Sequence, residues 1–324
     1  MRTMTCALAA LTALSAALVL PSQAQDRWPQ RQVTIIVPFA AGGTADLFGR
    51  MLGAHLQAKF GQPFIVENRV GAAGNIGTSA AARAAPDGHT LLLGTTGGFA
   101  INPFLYAKMP HDTVRDFQPV SLIARVPNLL VVNNKVPAKT IPELVAYLKA
   151  NPDKLSYGSS GIGSSQHLGT ELFKIKTGTQ MIHVPYRSSG EIMNAMNGGH
   201  VELALDNITL VLPQVKAGNV RPLGMSTLAR SPSAPDIPTI AETLPGFEGS
   251  AWHGIFVPAA TPRSIVDRLG AEMKAMLELA DTKAKFFELG AVPAPMSPEA
   301  FAAFVNEERN KWQEVVKTAG VKVE

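Results

Sequence analysis

The sequence predicts an α/β protein of two lobes joined by two extended strands, and three observations predict it. Short apolar runs alternate with helical stretches from Val33 onward. The same alternation restarts after Asn133. Two long apolar segments, PVSLIARVPNLLVVNN and FEGSAWHGIFVPAA, separate the blocks. Strand–helix–strand repetition implies parallel pairing with helices on both faces of a sheet. If both long segments cross between lobes, the chain leaves lobe one near Ala124 and re-enters it near Trp252. Lobe one is then residues 26–123 and 252–324, and lobe two is residues 124–251. A hinge of two strands lets the cleft between such lobes close on a ligand.

In the first block, VTIIVPF reads as a strand ending in the turn Gly42-Gly43. TADLFGRMLGAHLQAKF follows as a helix with Leu47, Met51, Leu52 and Leu56 on one face, closed by Gly61. PFIVENR is the second strand, NIGTSAAARAA a small-residue helix stopped at Pro86-Asp87-Gly88, and Thr90 to Leu93 the third strand. In the second block, Thr140-Ile141-Pro142-Glu143 has the form of a capping box opening LVAYLKA. KLSYGS, QMIHVPY and HVELALDN read as strands, and SSQHLGTELFKIKTG as a helix. Thr261-Pro262 predicts the cap of one long helix, RSIVDRLGAEMKAMLELA, and Ser297-Pro298 the cap of the last.

The first residues bear on compartment. Arg2 precedes an uncharged apolar run from Ala7 to Leu20, Pro21 breaks it, and Ser22-Gln23-Ala24 offers small residues at signal-peptidase positions. Residues 1–24 thus read as a secretory signal peptide, the mature chain starting near Gln25, in the periplasm. Cys6 is the only cysteine and lies in that leader, so no disulfide is expected. The 300 residues left of 324 suffice to fold without one. The chain has 29 Lys and Arg, one of them Arg2, against 25 Asp and Glu. These cations are scattered, which argues against a nucleic-acid groove.

In open parallel sheets, ligands sit at the carboxyl ends of strands. The loops expected there are PFAAGGTAD, GTTGGFAIN, YGSSGIGSSQH and VPYRSSGE, rich in Gly, Ser and Thr and holding one Lys or Arg, Arg187. Backbone N–H groups at helix N-termini hold anions without a basic side chain. Taken singly, Ser164, Ser188 and Asp46 are equally readable as helix-capping residues. Enzyme signatures are weak. Gly161-Ile162-Gly163 is followed by Gln166 where a dinucleotide loop needs glycine. No G-x-S-x-G elbow occurs, and no two histidines share helical metal-ligand spacing. No cofactor or metal is expected. An α/β enzyme is the lesser alternative.

Several runs carry a family resemblance: VTIIVPFAAGGTADLFGRMLGAHL, VENRVGAAGNIG, PDGHTLLLG, YGSSGIGSSQHLGTELF, HVPYRSSGEIMNAMNGGHVELALDN and WHGIFVPAATP. In order and spacing they resemble the Bug family, the extracytoplasmic receptors of tripartite tricarboxylate transporters. The resemblance implies a two-lobed type II periplasmic-binding-protein fold. It also implies small carboxylate ligands: di- and tricarboxylates, acidic amino acids, or nicotinate-like and aromatic acids. It assigns Phe39, Ala41, Gly42, Gly43 and Asp46, with Thr95 and Thr96, to lobe one of the site. Ser159, Ser160, Ser164 and His167, then Tyr186, Arg187 and Ser188, fall to lobe two. Asp206 matches an acid able to meet a ligand amine. The family usually has glycine after the basic residue of the third of these loops, where this chain has Ser188-Ser189. The implied partners are the membrane subunits of such a transporter, a signalling role being the alternative to uptake. A monomer is expected, since a moving hinge is poorly served by an obligate interface. Affinity is expected from backbone and hydroxyl donors more than from a basic clamp, so Gly43→Val, at a glycine needed for close approach and positive φ, is expected to be more damaging than Arg187→Ala.

Overall fold

The computed structural model describes residues 28–323; the leader assigned to residues 1–24 lies outside the described residues. The chain begins with β1 (Val33–Val37), α1 (Thr44–Phe60), β2 (Phe64–Asn68), α2 (Asn75–Ala82) and β3 (Thr90–Thr95). A π-type turn at Gly97–Ile101 runs into α3 (Asn102–Leu105), inside a stretch that sequence patterning reads as loop. Then come β4 (Phe117–Val126), β5 (Asn128–Asn133), α4 (Ile141–Ala150), β6 (Ser156–Ser159), α5 (Ser165–Thr177), β7 (Ile182–Pro185) and α6 (Ser189–Gly198). β8 (Leu203–Asn207), α7 (Ile208–Lys216), β9 (Val220–Met225), β10 (Ala251–Pro258), α8 (Arg263–Glu278), α9 (Ala280–Glu288), β11 (Val292–Pro293) and α10 (Pro298–Ala319) complete the fold.

The strands form two sheets, β11-β4-β10-β3-β1-β2 and β7-β6-β8-β5-β9. β1 is parallel to β2 and β3, and β6 is parallel to β7 and β8. The remaining pairs are antiparallel, so both sheets are mixed rather than wholly parallel. The reason is topological. β5 and β10 enter a sheet from the other one, not by a β–α–β return, so nothing obliges them to run with their neighbours. The change of sheet falls at Pro127, between β4 and β5, and again between Met225 and Ala251.

Burial follows from the side-chain patterns. On α1 the core face is Phe48, Leu52 and Leu56, at four-residue spacing, while Leu47 and Met51 are only partly buried. This is a rotation from the face expected from sequence. On the opposite side of the six-stranded sheet, Phe301 and Trp312 of α10 pack with Leu122, Trp252 and Phe256. A third apolar cluster joins Leu130, Tyr157, Phe173 and Phe247 around the five-stranded sheet.

Local capping follows the sequence in most places. The hydroxyls of Thr140 and Ser297 accept from Glu143 N and Ala300 N. At Thr140 the box is half formed, because Glu143 Oε2 accepts from Lys139 N instead. Thr261 does not cap α8: its hydroxyl donates to Pro258 O at 2.7 Å, and Pro262 is the N-cap residue. The long helix expected over 263–280 ends at Glu278, and the extended backbone of Leu279 (ψ 138°) separates it from α9, a further helix that sequence patterning does not pick out.

Candidate functional site

A cavity opens where the loops after β1, β3, β6 and β7 meet the start of β10. It is a tight cleft of about 50 Å³ that opens to solvent on one side. Of the residues singled out from sequence, Phe39, Gly43, Thr95, Thr96, Ser160, Ser164, Arg187 and Ser188 line it. Sequence reasoning missed Ala40, Thr44, Ala45, Gly97, Ser165, Gln166, Ser189, Asn207, Ala251, Trp252 and His253, which line it as well.

The N-terminal turns of α1, α5, α6 and α7 all reach this cavity, through Thr44 and Ala45, Ser165 and Gln166, Ser189, and the cap residue Asn207. Ser164 and Ser188 cap their helices, accepting from His167 N at 3.2 Å and Glu191 N at 3.3 Å. α1 and α7 have no such cap hydrogen bond. Asn207 instead donates from Nδ2 to Asn128 Oδ1 at 2.6 Å. First-turn N–H groups have no intrahelical acceptor, so α1 presents donors and the positive end of its dipole, as does α7 except at Ile208 N, which donates to Pro127 O at 2.9 Å. The two termini touch through the Thr44 and Thr209 hydroxyls, 2.5 Å apart.

Arg187 is the one Lys, Arg, Asp or Glu among the lining residues, and its guanidinium has no partner among the described residues. His253 lines the cavity from β10, and burial lowers its pKa to about 3, so its ring is neutral. Trp252 N donates to Thr96 Oγ1 at 2.8 Å, pinning the entry of β10 to the loop after β3. Among the described residues no group of three or more His, Cys, Asp or Glu is placed to hold a metal ion. None of the described helices is long and apolar enough to cross a membrane.

Ala41, Gly42, Asp46, Ser159, His167, Tyr186 and Asp206 lie outside the lining, and their contacts explain why. Asp46 accepts from Gly42 N and Arg50 Nε at 2.9 Å and from Asn68 Nδ2 at 3.0 Å. Burial raises its pKa, but the bonds from Arg50, Gly42 and Asn68 outweigh burial and hold the carboxyl below its ordinary range. Asp46 thus shapes the loop behind the wall. Ala41 and Gly42 point to solvent. Positive φ belongs to Gly42 (+79°), whereas Gly43 has φ −82°, so the conformational demand expected at Gly43 sits one residue earlier.

On the five-stranded side, Ser159 Oγ lies 2.6 Å from His183 Nε2. His167 Nδ1 accepts from Gly163 N at 3.2 Å, and its ring stacks on His183 at 4.1 Å. Burial lowers the pKa of His167 to about 4 and of His183 to about 3. The Tyr186 ring sits behind the strand near Gly158. Asp206 is fully buried. Its Oδ1 accepts from Gln166 Nε2 at 2.9 Å, from Ser189 Oγ at 2.7 Å and from Asn207 N at 2.7 Å. A ligand amine therefore has no surface of this carboxylate to meet. Its contacts organise the first turns of α5, α6 and α7.

Comparison with known proteins places this geometry. Residues 48–321 match the tripartite tricarboxylate transporter family receptor. The chain is similar to R. palustris Rpa4515, solved with adipate, at 40% identity and a TM-score of 0.89, over 91% of this chain and 99% of that one. It is similar to the periplasmic binding protein BugD at 35% identity and a TM-score of 0.86, over 92% and 100%. It also resembles MatC (Rpa3494) from Rhodopseudomonas palustris, solved with bound malate, at 34% identity and a TM-score of 0.85, over 89% and 100%. By its sequence, its two mixed sheets and the similarity of its whole described fold to these neighbours, the chain belongs to the tripartite tricarboxylate transporter receptor family, the Bug-type solute-binding receptors with the periplasmic-binding-protein fold.

Proposed function

We propose that the chain is an exported periplasmic receptor that captures a small carboxylate between two lobes and delivers it to the membrane subunits of a tripartite tricarboxylate transporter. The lobes are built on the two sheets, with hinge strands passing between them at Pro127 and just before Ala251. The observation that carries the reading is the convergence of helix N-termini on one cavity, two of them without a side-chain cap. Such a cavity holds positive potential and unpaired donors but little formal charge, and a carboxylate supplies what is missing. Three or four charge-assisted hydrogen bonds at roughly 1.5–3 kcal/mol each suffice for the roughly −8 kcal/mol of a micromolar complex. The adipate and malate complexes of the two relatives support the same ligand class. The family the chain belongs to consists of receptors, and we read the role of this cavity as capture of the ligand.

A thermal-shift screen against a carboxylate library tests this. A ligand at ~1,000 times its dissociation constant should add roughly 4 kcal/mol of stability. Rises confined to carboxylates are expected. A screen in which only sugars, amines or metals raise the melting temperature contradicts the proposal.

A further inference from the structure

His253 is an anomaly in its strand. It is a polar residue inside the apolar run AWHGIFVP, every residue of which is buried, and it is itself 4% exposed. β10 pairs antiparallel with β3, setting His253 opposite Thr95, so both side chains leave the sheet on one face. Both line the cavity. The imidazole packs edge-on against Phe48, one turn inside α1, with ring centroids 5.4 Å apart. Nδ1 is wholly buried without a hydrogen-bond partner, and Nε2, which is not enclosed in the same way and has no partner among the described residues, is the nitrogen a ligand can reach. An unsatisfied buried polar group is costly to a fold. Core packing alone would favour Phe or Leu here.

We infer that His253 is a specificity residue that receives a hydroxyl group of the ligand, selecting hydroxycarboxylates over their deoxy counterparts. The inference rests on the carboxylate-receptor reading above and narrows it. A neutral imidazole offers one donor and one acceptor, and which nitrogen carries the proton is set by its partner. A hydroxyl both donates and accepts, so it fits either tautomer, which a keto oxygen or an ammonium does not. Burial keeps the ring uncharged at neutral pH, so it is suited to a neutral group better than to a second carboxylate. The carboxylate is left to the helix N-termini and Arg187.

Calorimetric titration of the full mature chain with L-malate and succinate tests this, repeated with 3-hydroxybutyrate and butyrate. The wild type should favour the hydroxy acid of at least one pair by about tenfold, the worth of one good hydrogen bond. His253→Phe keeps a ring against Phe48 and should lose that factor, weakening the hydroxy acid about tenfold more than the deoxy acid. A residue that only packs would weaken both acids alike. His253→Leu gives the same readout should the Phe variant fail to fold. Equal wild-type affinities, or a preference that survives in either variant, overturn the inference and leave the receptor reading standing. Absence of binding by all four acids also overturns it, and only a flat carboxylate screen takes the receptor reading with it.

Discussion

Asp206→Ala should destabilise the protein by on the order of 3 kcal/mol, lowering the melting temperature by roughly 6 °C, and should abolish carboxylate binding. Asp206 is fully buried, and its Oδ1 is the common acceptor for Gln166, Ser189 and Asn207. Removing it strands those donors in the interior and frees three helix starts that border the cavity. Asp206→Asn is the informative control, because it keeps the shared oxygen and places an amide where Oδ2 has no partner. Burial raises the pKa of Asp206 above 3.8, against the opposing bonds from Gln166, Ser189 and Asn207. The folded state therefore binds the proton more tightly than the unfolded chain does. That contribution to stability is complete below about pH 3.8 and is lost as pH rises through the folded value. Asn cannot ionise, so the melting temperature of Asp206→Asn should improve relative to wild type as pH rises from about 4 to 7. A difference independent of pH would refute the assigned direction. Equal binding by Asp206→Ala and wild type would refute its part in holding the cavity together.

Gly163→Val should cut affinity by roughly 100-fold, on the order of 3 kcal/mol, without altering a residue that lines the cavity. Gly163 has φ +97°. A Cβ there would overlap Asn102 Oδ1 and lie 2.9 Å from Leu105 Cδ2. Asn102 is fixed in turn, donating to Ala73 O at 3.2 Å and Asn75 Oδ1 at 2.9 Å, and Tyr106 Oη donates to Ile162 O at 3.3 Å. The Gly161–Gly163 turn, on the five-stranded side, thus docks onto α2 and α3 of the six-stranded side. A valine acts as a wedge between the proposed lobes. Gly178→Val separates strain from wedging, since Gly178 also has positive φ (+64°) but a Cβ there meets nothing within 4 Å. It should cost stability and leave affinity near wild type. In small-angle scattering with the best carboxylate of the screen at saturation, wild type should contract and Gly163→Val should not. Wild-type affinity in Gly163→Val would show that this contact does not gate closure.

Much of this structure was legible locally. The caps at Thr140, Ser164, Ser188 and Ser297 and the glycine stop at Gly61 need only neighbouring residues, and all are present. The four glycine- and serine-rich loops could likewise be placed at strand ends, because alternation of strands and helices is a short-range signal. Long-range order was not legible. β10 inserts antiparallel between β3 and β4, which brings Trp252 and His253 to the cavity, and no local pattern encodes that pairing. One signal was available: a histidine in an otherwise apolar strand. Asp206 and His167 were assigned to the site by the family resemblance, which fixes loop position and not the direction of a side chain. Burial turned both inward, to Gln166, Ser189 and Gly163, and strand position alone cannot distinguish the two sides of a wall. α9 was not legible, because no Pro or Gly at Leu279 marks the start of a second helix.

The central claim is that uncapped helix N-termini select a negative charge. Calorimetry with the carboxylate that most raises the melting temperature in the screen, and with its uncharged amide of the same carbon skeleton, tests it most directly. The carboxylate should bind more weakly as salt is added, and the amide should bind at least about 100-fold more weakly than the carboxylate. Equal affinity for the two, or binding of the amide alone, would contradict the account.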